Sequence, residues 1–287
     1  MDKASLKFVF GDVAEYSLEV YRRIRQEICN NKYQYIFYSN EGFMSEALKN
    51  GPGWTNQYYC MEILQRIYLA SLTGYFRQQK WLDGVCSGVS TNNYILFCSS
   101  IRGFLEAATD YYDALECIPL TLAENFKLMS KAVKGEITDS IIGFEELENI
   151  LLHFQETSRQ SQEAGRIYSP KSAKAYMESK NLKSLNLYEC YGDLCEVTHP
   201  AKSSLDLFLN ADDYIYTFAD QDTKLMQSFV DKYSKPLSDL YMRVENICVI
   251  TLQVLNLFQI EMYYSQAAAS LNTENLKIWD KIHRLIK

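Results

Sequence analysis

The chain has 287 residues, enough for one large domain or two of ordinary size, and its 29 basic and 36 acidic residues leave a net charge of −7. No cation run exceeds Arg22, Arg23, Arg25, which argues against a nonspecific phosphate-binding surface and hence against nonspecific DNA binding. The longest apolar passage, Ile247 to Ile260, is interrupted by Gln253, Asn256 and Gln259 and falls short of the ~20 residues of a membrane span, so no membrane association is expected.

The opening MDKASLKFVFGD carries too short an apolar stretch for a secretory signal. The 8 cysteines (29, 60, 86, 98, 117, 190, 195, 248) are scattered, without the spacing of a disulfide framework or zinc knuckle. Both observations lead to the expectation of reduced thiols and a cytoplasmic location. With 22 tyrosines but only 5 prolines and 12 glycines, long helices with amphipathic aromatic packing are expected.

In chain order, the spacing of Val13, Tyr16, Val20, Tyr21, Ile24 and Ile28 predicts a helix from Asp12 to about Tyr35, followed by a loop. Gly51-Pro52-Gly53 is the clearest turn signal, and a second helix is expected from Trp54 to about Lys80. The Gly- and Ser-rich span Asp83 to Thr91 is the best candidate boundary, dividing an N-terminal helical region (1–90) from the rest (91–287), although one continuous domain is also compatible. Asn92 to Glu116 reads as a well-formed helix, and its Ser99, Gly103 and Ala107 stand four apart, a low ridge that another helix can approach closely.

Leu120 to Val133 and Gly143 to Thr157 follow as helices, then a polar connection from Glu156 to Lys174, a short helix over Ala173 to Glu178 and a firmer one over Leu182 to Thr198 that Pro200 ends. From Asp222 to Ala269 the helical pattern is too long for a single helix, and Pro236 is the expected division. Asn272 or Thr273 is placed to cap a closing helix. Only Tyr33 to Tyr38 and Tyr214 to Phe218 could be strands, so the fold class is all-α, a helical bundle with long amphipathic helices.

Tyr191, Cys195 and His199 recur every four residues and form one stripe on their helix. At the helix C-terminus His199 is placed to act as an acid, a base or a ligand anchor, or simply to cap its own helix carbonyls. Cys195 and His199 have the i, i+4 spacing of two metal ligands, but no further ligand pair stands near them in sequence, so no metal and no cofactor is expected. Arg102 and Glu106, also four apart, read as a brace on the border of an apolar face. His153 and His283 read as packing or surface residues. No Gly-rich phosphate loop, G-x-S-x-G elbow or H-E-x-x-H motif occurs.

Tyr191, Leu194, Cys195, His199 and Pro200 form a Tyr-x-x-Leu-Cys-x-x-x-His-Pro segment that resembles one in helical proteins related to the HEPN superfamily. Upstream, Arg102 and Glu106 resemble the Arg-x-x-x-Glu helix of the same proteins. Together the matches cover roughly Asn92 to Leu209, and they imply a HEPN-like core. HEPN ribonucleases place an arginine four to six residues before a histidine, and no histidine here has one at that spacing.

The resemblance therefore implies arrangement more than nuclease activity. The leading expectation is a noncatalytic helical interaction or regulatory protein, as in a bacterial defence or toxin–antitoxin setting, with a protein partner or a second copy of itself. The alternative is a metal-independent ribonuclease with RNA or a nucleotide as ligand, in which His199 handles protons, Arg102 stabilises phosphate charge, Glu106 orients Arg102, and Tyr191 and Cys195 line the binding site.

Overall fold

Few breakers and closely spaced apolar positions let the chain wind into helix over most of its length, and the fold is all-α. A computed structural model describes residues 1–34, 36–156, 170–200, 202–212 and 215–287. Helix α1 (Lys3–Phe10) starts at Asp2, whose carboxylate accepts from the Ala4 and Ser5 amides at 2.9 and 3.2 Å. Helix α2 (Val13–Cys29) ends before the expected Tyr35. Helix α3 (Asn40–Ser90) starts inside the expected loop, where the Ser39 hydroxyl accepts from the Gly42 amide at 3.1 Å, and it breaks at Gly51 (φ 75°) as the Gly-Pro-Gly signal implies.

The boundary expected at Asp83 to Thr91 is instead the last turns of α3, and the reason lies in its glycines. A Cβ on Gly84 would stand 2.5 Å from the Ser100 hydroxyl, and one on Gly88 would stand 2.6 Å from the Phe97 amide nitrogen. Both partners lie on α4 (Tyr94–Leu115), so these glycines serve close helix approach and not a linker. The low ridge on α4 works the same way, since a Cβ on Gly103 would meet the Trp81 ring at 2.4 Å.

The predicted helix from Leu120 to Val133 is two, α5 (Ile118–Glu124) and α6 (Phe126–Val133), which meet at Asn125. Helices α7 (Glu145–Glu156) and α8 (Ala173–Met177) follow, and the core of the predicted polar connection, 157–169, lies outside the described residues. Helix α9 (Leu187–Thr198) starts at Asn186 in the left-handed region (φ 52°). After α10 (Lys202–Asp206), β1 (Leu209–Asp212) pairs antiparallel with β2 (Ile215–Phe218), with Leu209 opposite Phe218. The second strand matches the pattern at Tyr214 to Phe218, whereas the described part of Tyr33 to Tyr38 holds no strand.

Helix α11 (Asp222–Asn256) runs through Pro236 undivided. An internal proline costs roughly 3 kcal/mol, but Leu237, Leu240, Tyr241 and Val244 just beyond it are fully buried, and that burial holds the helix together. The chain turns away only at Gln259, whose φ of 55° no continuing helix adopts. Helix α12 (Gln266–Ala269) and α13 (Lys277–Ile286) close the fold. Thr273 does not cap α13; its hydroxyl bonds the Gln253 side chain at 2.5 Å and accepts from the Trp279 indole at 2.6 Å. Nor does Asn272, whose carboxamide accepts from the Glu274 amide at 3.2 Å.

The chain resolves into two compact units, each of three segments, and both draw on residues either side of position 90. One unit holds Met1–Tyr21, Gly74–Asp113 and Lys171–Glu245. Its core includes Phe10, Phe104 and Tyr241, with ring centroids 5.2 to 6.0 Å apart. The other holds Arg22–Thr73, Ala114–Pro170 and Asn246–Lys287. In it Glu27 accepts from the amides of Gln266 and Ala267, each at 2.8 Å, and so fixes the start of α12. Among the described residues no helix is long and apolar enough to cross a membrane.

Candidate functional site

The first unit brings α9 against α4. Leu187, Cys190 and Leu194 are the fully buried side of α9, and the Tyr191, Cys195 and His199 stripe borders it. On α4, Ile101 and Leu105 are buried, and Arg102 and Glu106 sit beside them with side chains 27 and 46 % exposed. Asp193 pins α9 from its other side, accepting from the Tyr233 hydroxyl at 2.6 Å and Lys232 at 2.9 Å.

Pro200 shapes the end of this site. A residue preceding proline is driven out of the helical region, and His199 takes φ −87° and ψ 154°. Its amide still donates to the Cys195 carbonyl at 2.9 Å, so α9 is capped while the imidazole turns toward α4. The cap is made by the backbone amide, and the imidazole meets Arg102 instead of the helix carbonyls.

Arg102 is the hub. Its Nε donates to Glu106 Oε1 at 3.3 Å, its Nη1 donates to Thr198 Oγ1 at 3.2 Å and meets His199 Nε2 at 3.3 Å, and its Nη2 donates to the Tyr191 hydroxyl at 3.3 Å. Its guanidinium carbon also stands 5.3 Å from the Tyr191 ring centroid. A guanidinium has only donors, so the contact with Nε2 is a hydrogen bond only when that nitrogen is unprotonated.

Glu106 orients two groups at once, because Oε1 also accepts from the Tyr191 hydroxyl at 2.7 Å. Partial burial, and then this bond to a carboxylate, push the Tyr191 hydroxyl up to about 12, against the opposing pull of Arg102. Tyr191 therefore keeps its proton at neutral pH.

Of the expected site residues, the structure joins Arg102, Glu106, Tyr191 and His199 in one network open to solvent. Cys195 is half-buried on the same stripe and adds no hydrogen bond to them. Thr198 is the member that residue spacing did not single out. The signal for it is position: it lies two turns from Tyr191 on the same face, and its hydroxyl, which donates to the Leu194 carbonyl at 2.9 Å, is free to accept from Arg102. Among the described residues no three His, Cys, Asp or Glu side chains are grouped to hold a metal ion.

Fold and site together define an all-α protein with an exposed arginine-centred cluster between two helices. No protein-family model, curated protein or solved structure matches the chain.

Proposed function

We propose that the Arg102 cluster is a catalytic centre for metal-independent RNA cleavage. The observation that carries this reading is the convergence of an arginine, a carboxylate, a tyrosine and a histidine from two helices at a solvent-accessible point. The resemblance of both segments to HEPN-related proteins bears on how these residues are arranged and not on the activity. The arginine absent from the stretch before His199 is supplied in space from α4.

The chemistry uses groups already in place. A scissile phosphate takes the Nη1 donors of Arg102 in exchange for Thr198 and His199, which frees His199 Nε2 to accept a proton. That nitrogen removes the proton of a ribose 2′-hydroxyl, the 2′-oxygen bonds to phosphorus, and the bond to the 5′-oxygen breaks. Tyr191 turns its O–H from Glu106 to give its proton to the leaving oxygen and regains one from solvent, while His199 gives up the proton it took to solvent. Arg102 balances the charge that grows on the phosphoryl oxygens, held in position by Glu106. The products are a 2′,3′-cyclic phosphate and a 5′-hydroxyl.

The test is to incubate a labelled single-stranded RNA with wild type and with His199→Ala, and to analyse the product ends. Wild type is expected to leave 2′,3′-cyclic phosphate ends, and loss of the proton acceptor is expected to slow cleavage at least about 100-fold. Equal cleavage by both proteins, or none by wild type, would overturn the assignment.

A different observation favours a noncatalytic interaction or regulatory role, with a protein partner or a second copy of the chain. Ile215, Tyr216 and Phe218 on β2 are 69, 67 and 90 % exposed, an apolar surface with no role in the Arg102 cluster. RNA left intact by wild type would favour this second reading.

A further inference from the structure

In the second unit α13 packs on α5 and α6. On α6 the helical repeat turns Met129 and Ala132 into the core and puts Lys127, Lys131 and, one residue past the helix, Lys134 on the opposite side, where all three are exposed. On α13 it buries Trp279 and Ile282 and turns Lys277, Lys281 and Arg284 outward, again all exposed. The two rows meet at their ends, because the Lys127 ammonium donates to the Lys287 carbonyl oxygen at 2.5 Å.

This face stands apart from the rest of an acidic chain. From Phe126 to Lys134 there are three lysines and no carboxylate, and from Lys277 to Lys287 there are four cations against Asp280 alone. Lys7, Lys171 and Lys232 each pair with a carboxylate, whereas among the described residues none of the six cations of the two rows does. Like charges gathered without partners repel one another, and an anion laid across them relieves that repulsion.

The chemistry of the face selects the anion. Lysine is depleted from protein–protein interfaces, which rest on aromatic and arginine anchors, and here the aromatic side chains are turned inward: Trp279 is 7 % exposed, and Phe126 packs on Phe258 with ring centroids 4.8 Å apart. Stable attachment to a membrane takes inserted apolar surface as well as charge. The apolar side of α13 is used by the fold, which leaves only Leu128 and Leu285 about the face, 41 and 38 % exposed. Lysines on successive turns, with about 6 Å of rise between Lys127 and Lys131 and between Lys277 and Lys281, suit a line of phosphates.

We infer that the α6–α13 face binds the phosphate backbone of a nucleic-acid strand without regard to base sequence. The sequence carries no matching cation run because the fold draws the face from two distant segments. The Arg102 cluster lies in the other unit, and this binding does not depend on that cluster being catalytic.

Two labelled 2′-O-methyl RNA strands of unrelated sequence test it on the full chain, because they carry the phosphates but no 2′-hydroxyl and so report binding with cleavage excluded. Fluorescence anisotropy is expected to show both strands binding saturably and alike, with affinity falling as salt rises at a log–log slope of about −0.7 for each phosphate engaged. Lys131→Gln and Lys281→Gln, exposed changes on the two helices, are each expected to weaken binding about fivefold at about 0.1 M salt, and the double variant about 25-fold. Lys7→Gln removes the same charge from the other unit, where Lys7 pairs with Asp12 at 2.8 Å, and is expected to leave affinity unchanged. No saturable binding, binding insensitive to salt, or a tenfold preference for one strand would each overturn the assignment. So would unchanged affinity in the double variant, an equal loss in Lys7→Gln, or tighter binding to phosphatidylserine vesicles or to poly-glutamate than to the strands.

Discussion

Glu245 is a carboxyl buried on α11, outside the Arg102 cluster. It is 1 % exposed on α11; one carboxyl oxygen meets the Tyr75 hydroxyl at 3.4 Å, and the other has no hydrogen-bond partner among the described residues. Burial pushes its carboxyl up from 4.5 to about 7, and the hydroxyls of Ser17 and Tyr75 offset only part of that. Between these two values the native state keeps a proton that the unfolded chain has lost, so stability falls as pH rises through that window. The full shift corresponds to about 3 kcal/mol. Glu245→Gln carries no charge, so its melting temperature relative to wild type should be higher at pH 8 than at pH 5; an identical difference at both would refute the argument. Neither this site nor Thr198 was legible in the sequence, because burial and an arginine arriving from another helix are properties of the fold. Arg102, Glu106, Tyr191 and His199 were legible, because each pair is spaced for one helix face and Pro200 marks where the second helix must end.

At the scale of elements, glycine separates what periodicity shows from what it hides. Gly88 and Gly192 both sit within helices, and nothing local distinguishes them. A methyl on Gly88 would press on the Phe97 backbone at 2.6 to 2.7 Å, whereas one on Gly192 would meet nothing within 4 Å. Gly88→Ala should therefore lower stability by about 1–3 kcal/mol through overpacking. Gly192→Ala should raise it by roughly 0.4–1 kcal/mol by restricting the unfolded chain. Urea midpoints of the two variants decide it, and shifts of the same sign would show that the close approach of α3 and α4 is not what Gly88 serves. Helix positions along α4 and α8, and the end of α9 at Thr198, followed from the sequence, whereas α9 starts at Leu187 and not at the expected Leu182, because Asn186 is left-handed. The run of α3 through Ser90 and of α11 through Pro236 did not, since in each the tertiary partner overrides the local breaker.

At the scale of the whole molecule, connectivity decides what can fold alone. Each unit is assembled from three segments that are separated in sequence by segments of the other. The core contacts of Phe10, for example, are with Phe104 and Tyr241. Residues 1–90 expressed as a fragment would lack both partners. That fragment should show weak helical circular dichroism and no cooperative melt, while the full chain melts cooperatively; a cooperative transition in the fragment would show that the N-terminal segments carry a core of their own.

The arginine hub also limits which sequences can occupy its position. Four directions are served from Arg102 by three nitrogens held in one plane. A lysine would bring equal charge from a single point, and one ammonium cannot reach Glu106 and Tyr191 on one side and Thr198 and His199 on the other. Variation at this position is thus restricted by shape before it is restricted by charge, and a chain that keeps His199 and Glu106 but carries lysine between them has lost the geometry even though its formal charge is intact.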